Sequence, residues 1–323
     1  MRKGSCLLKA TLYAASYLCS ITAVNLFRRT NENKCTKTNN FFIGDDFFIT
    51  RIGNCDPTPP QPSRTANDLT KQYHNSSSNC GSANKPAFLC SGIMLRGTVP
   101  SNLYHSWDPS PASVTSGGVS FSYLRKDAKF NRLAYGYKNG FIIYPHNNTP
   151  ANLLKIEVLC SFPIDGDTIN RSAKGCGANT AYPASSKACQ SMGIRTAGAW
   201  SNHYKSVSNN PRQHQCAFDV RSSVSGNADY FSASIKARAY IASESFKEQN
   251  EIRLVTWSQG IASKLPIQAF FYVNNGLSNA QFDQRDYYSQ TGLFIPIIKL
   301  TLPTNSSSDA KFNFYKSDQV VQN

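Results

Sequence analysis

Phe88-Leu89-Cys90-Ser91-Gly92-Ile93-Met94-Leu95-Arg96-Gly97-Thr98 is the stretch whose reading sets the fold class. It is apolar over most of its length and closes on glycine, the pattern of a buried strand over 88–96. Downstream, Val119 to Leu124 alternates apolar and polar residues with period two, as a half-buried strand does. Gly140 to Pro145, Lys155 to Phe162, Glu251 to Trp257, Leu265 to Val273 and Leu293 to Leu302 read as further strands. Pro296 inside the last of these assigns it to a sheet edge. Ala228 to Ser243 carries the best helical pattern, with Phe231, Ile235, Ala239 and Ala242 at three- and four-residue spacing. Ala66 to His74 reads as a short helix, and Gly175 to Asn210 as irregular chain with short helices. There is no internal repeat. The expected class is α+β with β predominating.

Upstream of Ala87 the texture differs. Residues 29–85 are rich in Asn, Thr, Ser and Pro, and Pro57 to Ser63 excludes helix or central strand. Met1-Arg2-Lys3 is a positive start, followed by an apolar run to Phe27 that only Lys9 interrupts. That is the pattern of an export signal over 1–27, with Ala23 as a cleavage position. Lys9 and the Ser, Thr and Tyr content make it a poor transmembrane anchor. Its removal takes Cys6 and Cys19 and leaves eight cysteines, at 35, 55, 80, 90, 160, 176, 189 and 216. An even set after an export signal implies disulfides in an oxidising compartment, extracellular or periplasmic. Many pairings remain open. No Cys-x-x-Cys exists and the spacings are wide, which argues against zinc. The reading divides the chain into a signal (1–27), a loop-rich region stapled by Cys35, Cys55 and Cys80 (28–85), and a main domain (86–323) with a Cys-containing insertion near 160–216.

The net charge of +15 is compatible with an anionic small molecule, nucleic acid or a membrane surface. The basic residues are spread from Lys34 to Lys316, without the block that marks a nucleic-acid arm. Gly-x-Ser-x-Gly, His-Glu-x-x-His and a phosphate-binding Gly-Lys-Ser loop are all absent from the sequence. Three constellations remain. Arg96-Gly97-Thr98 puts a bidentate cation beside accessible backbone at a strand exit, which suits a pyrophosphate. Ser120 and Ser122 share one strand face and can orient a carboxylate. Glutamate is rare, five in 323 residues, yet three of the five fall in Glu244-Ser245-Phe246-Lys247-Glu248-Gln249-Asn250-Glu251. Gln249 and Glu251 stand on one face of the strand that follows.

The order strand-Arg-Gly-Thr, Ser-x-Ser, Gln-x-Glu resembles the ADP-ribosyltransferase toxins of the arginine-serine-glutamate class. The stretches Leu95 to Thr98, His105 to Pro111, Gly117 to Lys126 and Phe271 to Leu300 are, more narrowly, similar to the halovibrin family of secreted NAD glycohydrolases. That resemblance implies a split-sheet core in 86–323 and NAD as substrate, with no metal. Arg96 would hold phosphate with Gly97 and Thr98. Ser120 would orient Glu251, Ser122 would help bind the dinucleotide, and Gln249 would supply the second motif position. Trp107 and His105 would contact the dinucleotide. A protein acceptor for ADP-ribose is a further implied partner. Two departures stand out: Phe121 replaces the family's usual threonine, and the interval from Ser122 to Glu251 is long. Glu157, on Lys155-Ile156-Glu157-Val158, is a rival carboxylate. Another rival set is His105, Arg96 and Gln284, because some NAD-cleaving toxins use histidine, arginine and glutamine without glutamate. A secreted glycan- or surface-binding protein is the competing class, and a secreted nuclease a third.

Overall fold

The computed structural model describes residues 27–29, 35–37, 62–81, 85–99, 103–164, 189–194, 196–206, 216–219, 246 and 249–315. The chain forms two compact units, Met1–Pro59 and Pro60–Asn323. In the first, β1 (Phe27–Arg29) pairs antiparallel with β2 (Cys35–Lys37). The expected export segment and the helix expected at 228–243 lie outside the described residues. No described helix is long and apolar enough to cross a membrane.

The second unit is built on a nine-stranded sheet. Its strands are β3 (Ile93–Thr98), β4 (Gly118–Leu124), β5 (Asn139–Ile143), β6 (Val158–Phe162), β7 (Phe218–Asp219), β8 (Glu251–Val255), β9 (Ile267–Tyr272), β10 (Ile297–Thr301) and β11 (Lys311–Phe314). The order across the sheet is β11-β10-β9-β5-β3-β4-β8-β6-β7. Among the described strands only β9 and β10 pair in parallel. Among the described residues the α-helices are α1 (Pro62–His74), α2 (Pro111–Ser116), α3 (Ala197–Ser206) and α4 (Leu277–Thr291). The fold is α+β and β-rich.

β3 is the middle strand, and its alternation builds two cores. Ile93 and Leu95 join Leu69, Tyr73, Phe130, Ile142, Phe271 and Ile298 on one face. Met94 joins Trp107, Phe121, Phe141, Phe270 and Tyr287 on the other. Thus α1 packs on the first face and α4 on the second. β3 begins later than the apolar run implies. Ala87–Leu89 form a 3-10 turn, Cys90 is bonded to Cys80, and Gly92 takes a left-handed turn with φ 68°. The Gly92 N–H donates to the Gln72 carbonyl at 2.8 Å, which ties the strand entrance to the end of α1.

Two sequence expectations are corrected, and one helix went unread. Pro62 and Ser63 belong to α1, because proline is tolerated in the first turn, where its missing N–H has no intrahelical partner. β10 is interior, covered by β11. Pro296 precedes that strand and offers only its carbonyl, which accepts from the Phe270 N–H at 2.9 Å. α4 went unread because much of its buried face is polar: Asp283 and Gln284 stand there with Ala280 and Tyr287. Cys189 pairs with Cys216, and Cys160 is also disulfide-bonded. Of the staple expected of Cys35, Cys55 and Cys80, Cys80 pairs instead with Cys90 just ahead of β3, and the other two lie outside the described side chains.

One side chain extends the sheet where β8 begins. The Tyr123 N–H donates to Asn250 Oδ1 at 2.7 Å, and Asn250 Nδ2 donates to the Tyr123 carbonyl at 2.7 Å. The buried Asn250 amide stands in for a peptide group opposite β4. Asn250→Ala strands two buried backbone groups, each worth about 1–3 kcal/mol, so a loss of about 2–4 kcal/mol is expected in urea melts. Asn250→Asp is expected to lose nearly as much, because a carboxylate oxygen would face the Tyr123 carbonyl.

Candidate active site

β4 and β8 lie side by side, with Ser120 directly opposite Arg253 and Phe121 opposite Ile252. Antiparallel pairing puts opposite residues on one face, and alternation adds Ser122 and Glu251 to it. This face continues the first core beyond Leu95, which pairs with Ser122. The apolar lining stops there and a polar group replaces it.

Glu251 is 3% exposed. Ser120 is exposed, and its hydroxyl donates to Glu251 Oε1 at 2.5 Å. Arg253, also buried, donates from Nη1 to Ser120 Oγ at 2.9 Å and to Glu251 Oε1 at 3.3 Å. Its Nη2 donates to the Gly118 carbonyl at 2.8 Å. Gly118 makes room for this: a Cβ there would sit 2.9 Å from Nη2 and 3.0 Å from Nε. The group is a buried ion pair with a hydroxyl at its solvent edge.

The other motif residues scatter around it. Ser122 is buried on the same face. Arg96 has the opposite alternation from Leu95 and so leaves β3 toward the second core. Its Nη1 is buried and has no hydrogen-bond partner among the described residues. Burial pushes the Arg96 guanidinium down to about 10, and Arg253 pushes the same way against Tyr104 and Tyr137. Gly97 underlies the Tyr137 ring, and Thr98 is buried with Oγ1 3.5 Å from Asn139 Nδ2.

Several expected residues are committed elsewhere. Gln249 Oε1 accepts from the Ala134 N–H at 3.0 Å, so it braces a loop rather than joining Ser120. Glu157 is exposed, and its carbonyl accepts from the Val255 N–H at 2.9 Å. Trp107 is 1% exposed under a stacked His105 ring at 4.8 Å and the edge of Tyr287 at 4.9 Å. It is core, with no free face for a dinucleotide ring. Gln284 Nε2 donates to the Ile295 carbonyl at 2.7 Å, which holds α4 to the chain before β10. His105 Nδ1 lies 2.7 Å from Asp286 Oδ2. The set of His105, Arg96 and Gln284 therefore has two members bound into α4 contacts.

No protein-family model matches the sequence, and no curated protein matches it. Among the described residues no group of three or more His, Cys, Asp or Glu could hold a metal ion. Sequence reasoning missed Arg253 and Gly118. Arg253 was legible in principle, since Glu251-Ile252-Arg253 puts both charges on one strand face. Gly118 was legible only as a glycine before a strand; the guanidinium above it is a tertiary fact.

A second polar cluster sits where β5 begins. Asn139 Nδ2 donates to Asp283 Oδ2 at 2.7 Å. Burial pushes the Asp283 carboxyl up to about 6; Ser106 and Asn139 oppose this, and Asp286 reinforces it. Burial likewise raises the Asp108 carboxyl, with His105 opposing and Asp286 adding. A carboxyl raised in the folded state binds its proton more tightly there than in the unfolded chain. Stability from this group is therefore greatest below pH 4 and falls as pH rises from about 4 to 6. Asp283→Asn, an isostere of the protonated acid, is expected to flatten that segment of the stability profile. At pH 7 it should stabilise by up to about 3 kcal/mol, read by denaturant melts at several pH values.

Proposed function

We propose that this chain cleaves the nicotinamide–ribose bond of NAD, giving nicotinamide and ADP-ribose. The observation that carries the reading is the Ser120 hydroxyl, exposed to solvent, donating at 2.5 Å to the buried Glu251 carboxylate. Glycosidic cleavage passes through an oxocarbenium-like state, and a fixed anion beside the ribose lowers its energy. The electrons of the broken bond neutralise the pyridinium nitrogen, and nicotinamide leaves uncharged. Water adds at the ribose carbon and releases a proton. A nucleophilic side chain in place of water would make the same site a transferase.

Other features agree with this reading. The three motif residues stand on adjacent strands, Arg96 on β3, Ser120 on β4 and Glu251 on β8. We take the β3, β4 and β8 region as the core of an ADP-ribosyltransferase-like fold, within one continuous hydrogen-bonded sheet. Arg96 Nη1, buried and without a hydrogen-bond partner among the described residues, could take a phosphate oxygen, though its strand face is the one opposite Glu251. The disulfides fit an extracellular or periplasmic enzyme.

Purified, oxidised protein is expected to consume NAD and release nicotinamide in equal amounts. Glu251→Gln should lower kcat by about 10²- to 10³-fold, the usual effect of losing one transition-state electrostatic partner. Glu157→Gln should leave turnover unchanged. Absence of turnover in the parent protein, together with binding on a glycan array, would replace this reading with the surface-binding one.

A further inference from the structure

We infer that Arg253 is the positioning residue of this site: it sets the direction of the Ser120 hydroxyl and the rotamer of Glu251. The inference rests on the proposed site, and its argument is one of donors and acceptors. A guanidinium carries only donors. Arg253 Nη1 lies 2.9 Å from Ser120 Oγ, so that oxygen must accept. Serine has one hydroxyl proton. With a lone pair of Oγ occupied by Arg253, that proton is directed at Glu251 Oε1, 2.5 Å away. The same Nη1 reaches Glu251 Oε1 at 3.3 Å, so one guanidinium edge addresses both partners.

The guanidinium is itself fixed. Nη2 is anchored on the Gly118 carbonyl at 2.8 Å, and the plane lies against a glycine with no Cβ to lift it. Strand register adds to this, because Arg253 is cross-strand from Ser120 and two residues along from Glu251 on the same face. Lysine in this place would keep the charge and lose the planar fork that serves three acceptors at once. Arg253 is 7% exposed and lies on the sheet floor, so it acts through Glu251 and Ser120 and is not assigned a substrate contact.

Removal of Arg253 also takes a cation away from a buried carboxylate, which can unfold the protein. Gly118→Ala avoids that difficulty. Its Cβ would press on the far end of the Arg253 side chain and displace the guanidinium, while no charge is removed. The experiment uses Arg253→Lys, Arg253→Gln and Gly118→Ala in the full, oxidised chain, with folding checked by thermal melts. The first readout is NAD turnover. A loss of kcat of about 10-fold or more in Gly118→Ala and Arg253→Lys, with KM within about threefold of the parent, is expected for a residue that orients a catalytic group. A rise in KM at constant kcat would overturn the inference, since it would make Arg253 a substrate-binding group.

The second readout needs no turnover. The short Ser120–Glu251 hydrogen bond should give a downfield, slowly exchanging hydroxyl proton resonance in NMR, absent in Ser120→Ala. Its loss in folded Gly118→Ala and Arg253→Lys supports the positioning role. Its persistence in either folded variant overturns it. Should the parent protein fail to cleave NAD, the function proposed above falls, and this resonance still decides the role of Arg253.

Discussion

A carboxylate removed from water must be paired or protonated, and Glu251 is the first residue of an interior strand with 3% of its surface exposed. The answer in this protein is a guanidinium two residues along the same strand and a hydroxyl on the neighbouring one. Around that demand the local architecture falls into order. Gly118 leaves space for the guanidinium, and β4 must run antiparallel to β8 in a register that sets Ser120 against Arg253. The Asn250 amide clamps that register by standing in for a peptide group opposite Tyr123. A slip of one residue would turn Ser120 to the other face and leave the ion pair without its hydroxyl.

A buried ion pair does not repay its desolvation generously, and an apolar pair of equal volume is often as stable. Its use here is therefore better understood as chemical. The Ser120 end is open, so the field of the pair reaches solvent at one point. On the other face of the same sheet, Arg96 is half-buried, its Nη1 is buried and unmatched among the described residues, and its guanidinium is pushed down to about 10. A positive charge left in that condition is costly unless an anion visits it.

How far the site could be read without coordinates differs residue by residue. Ser120, Ser122 and Glu251 were legible because strand alternation fixes which side chains share a face. Gln249 obeys the same alternation, yet its amide reaches the Ala134 N–H. Alternation gives a direction and not a partner. Trp107 and His105 looked like ligand contacts because aromatic and imidazole groups in a Pro-bounded loop are often exposed. The loop in fact folds its indole against Phe270 and Tyr287. α4, which carries Tyr287, Asp283 and Gln284, was invisible to a periodicity search because its inward face is half polar.

The sequence alone determined that this is a β-rich, disulfide-bearing chain, because apolar alternation, glycine-bounded runs and the cysteine number are local properties. It also determined which residue types were available for chemistry. The strand order was beyond its reach, for β4 and β8 are separated by more than a hundred residues and pair only through long-range register. The same holds for the Arg253 contact with Ser120, the seat on Gly118 and the burial of Glu251. Each depends on which strand becomes the neighbour, and that choice is made by the packing of the two cores on the whole sheet.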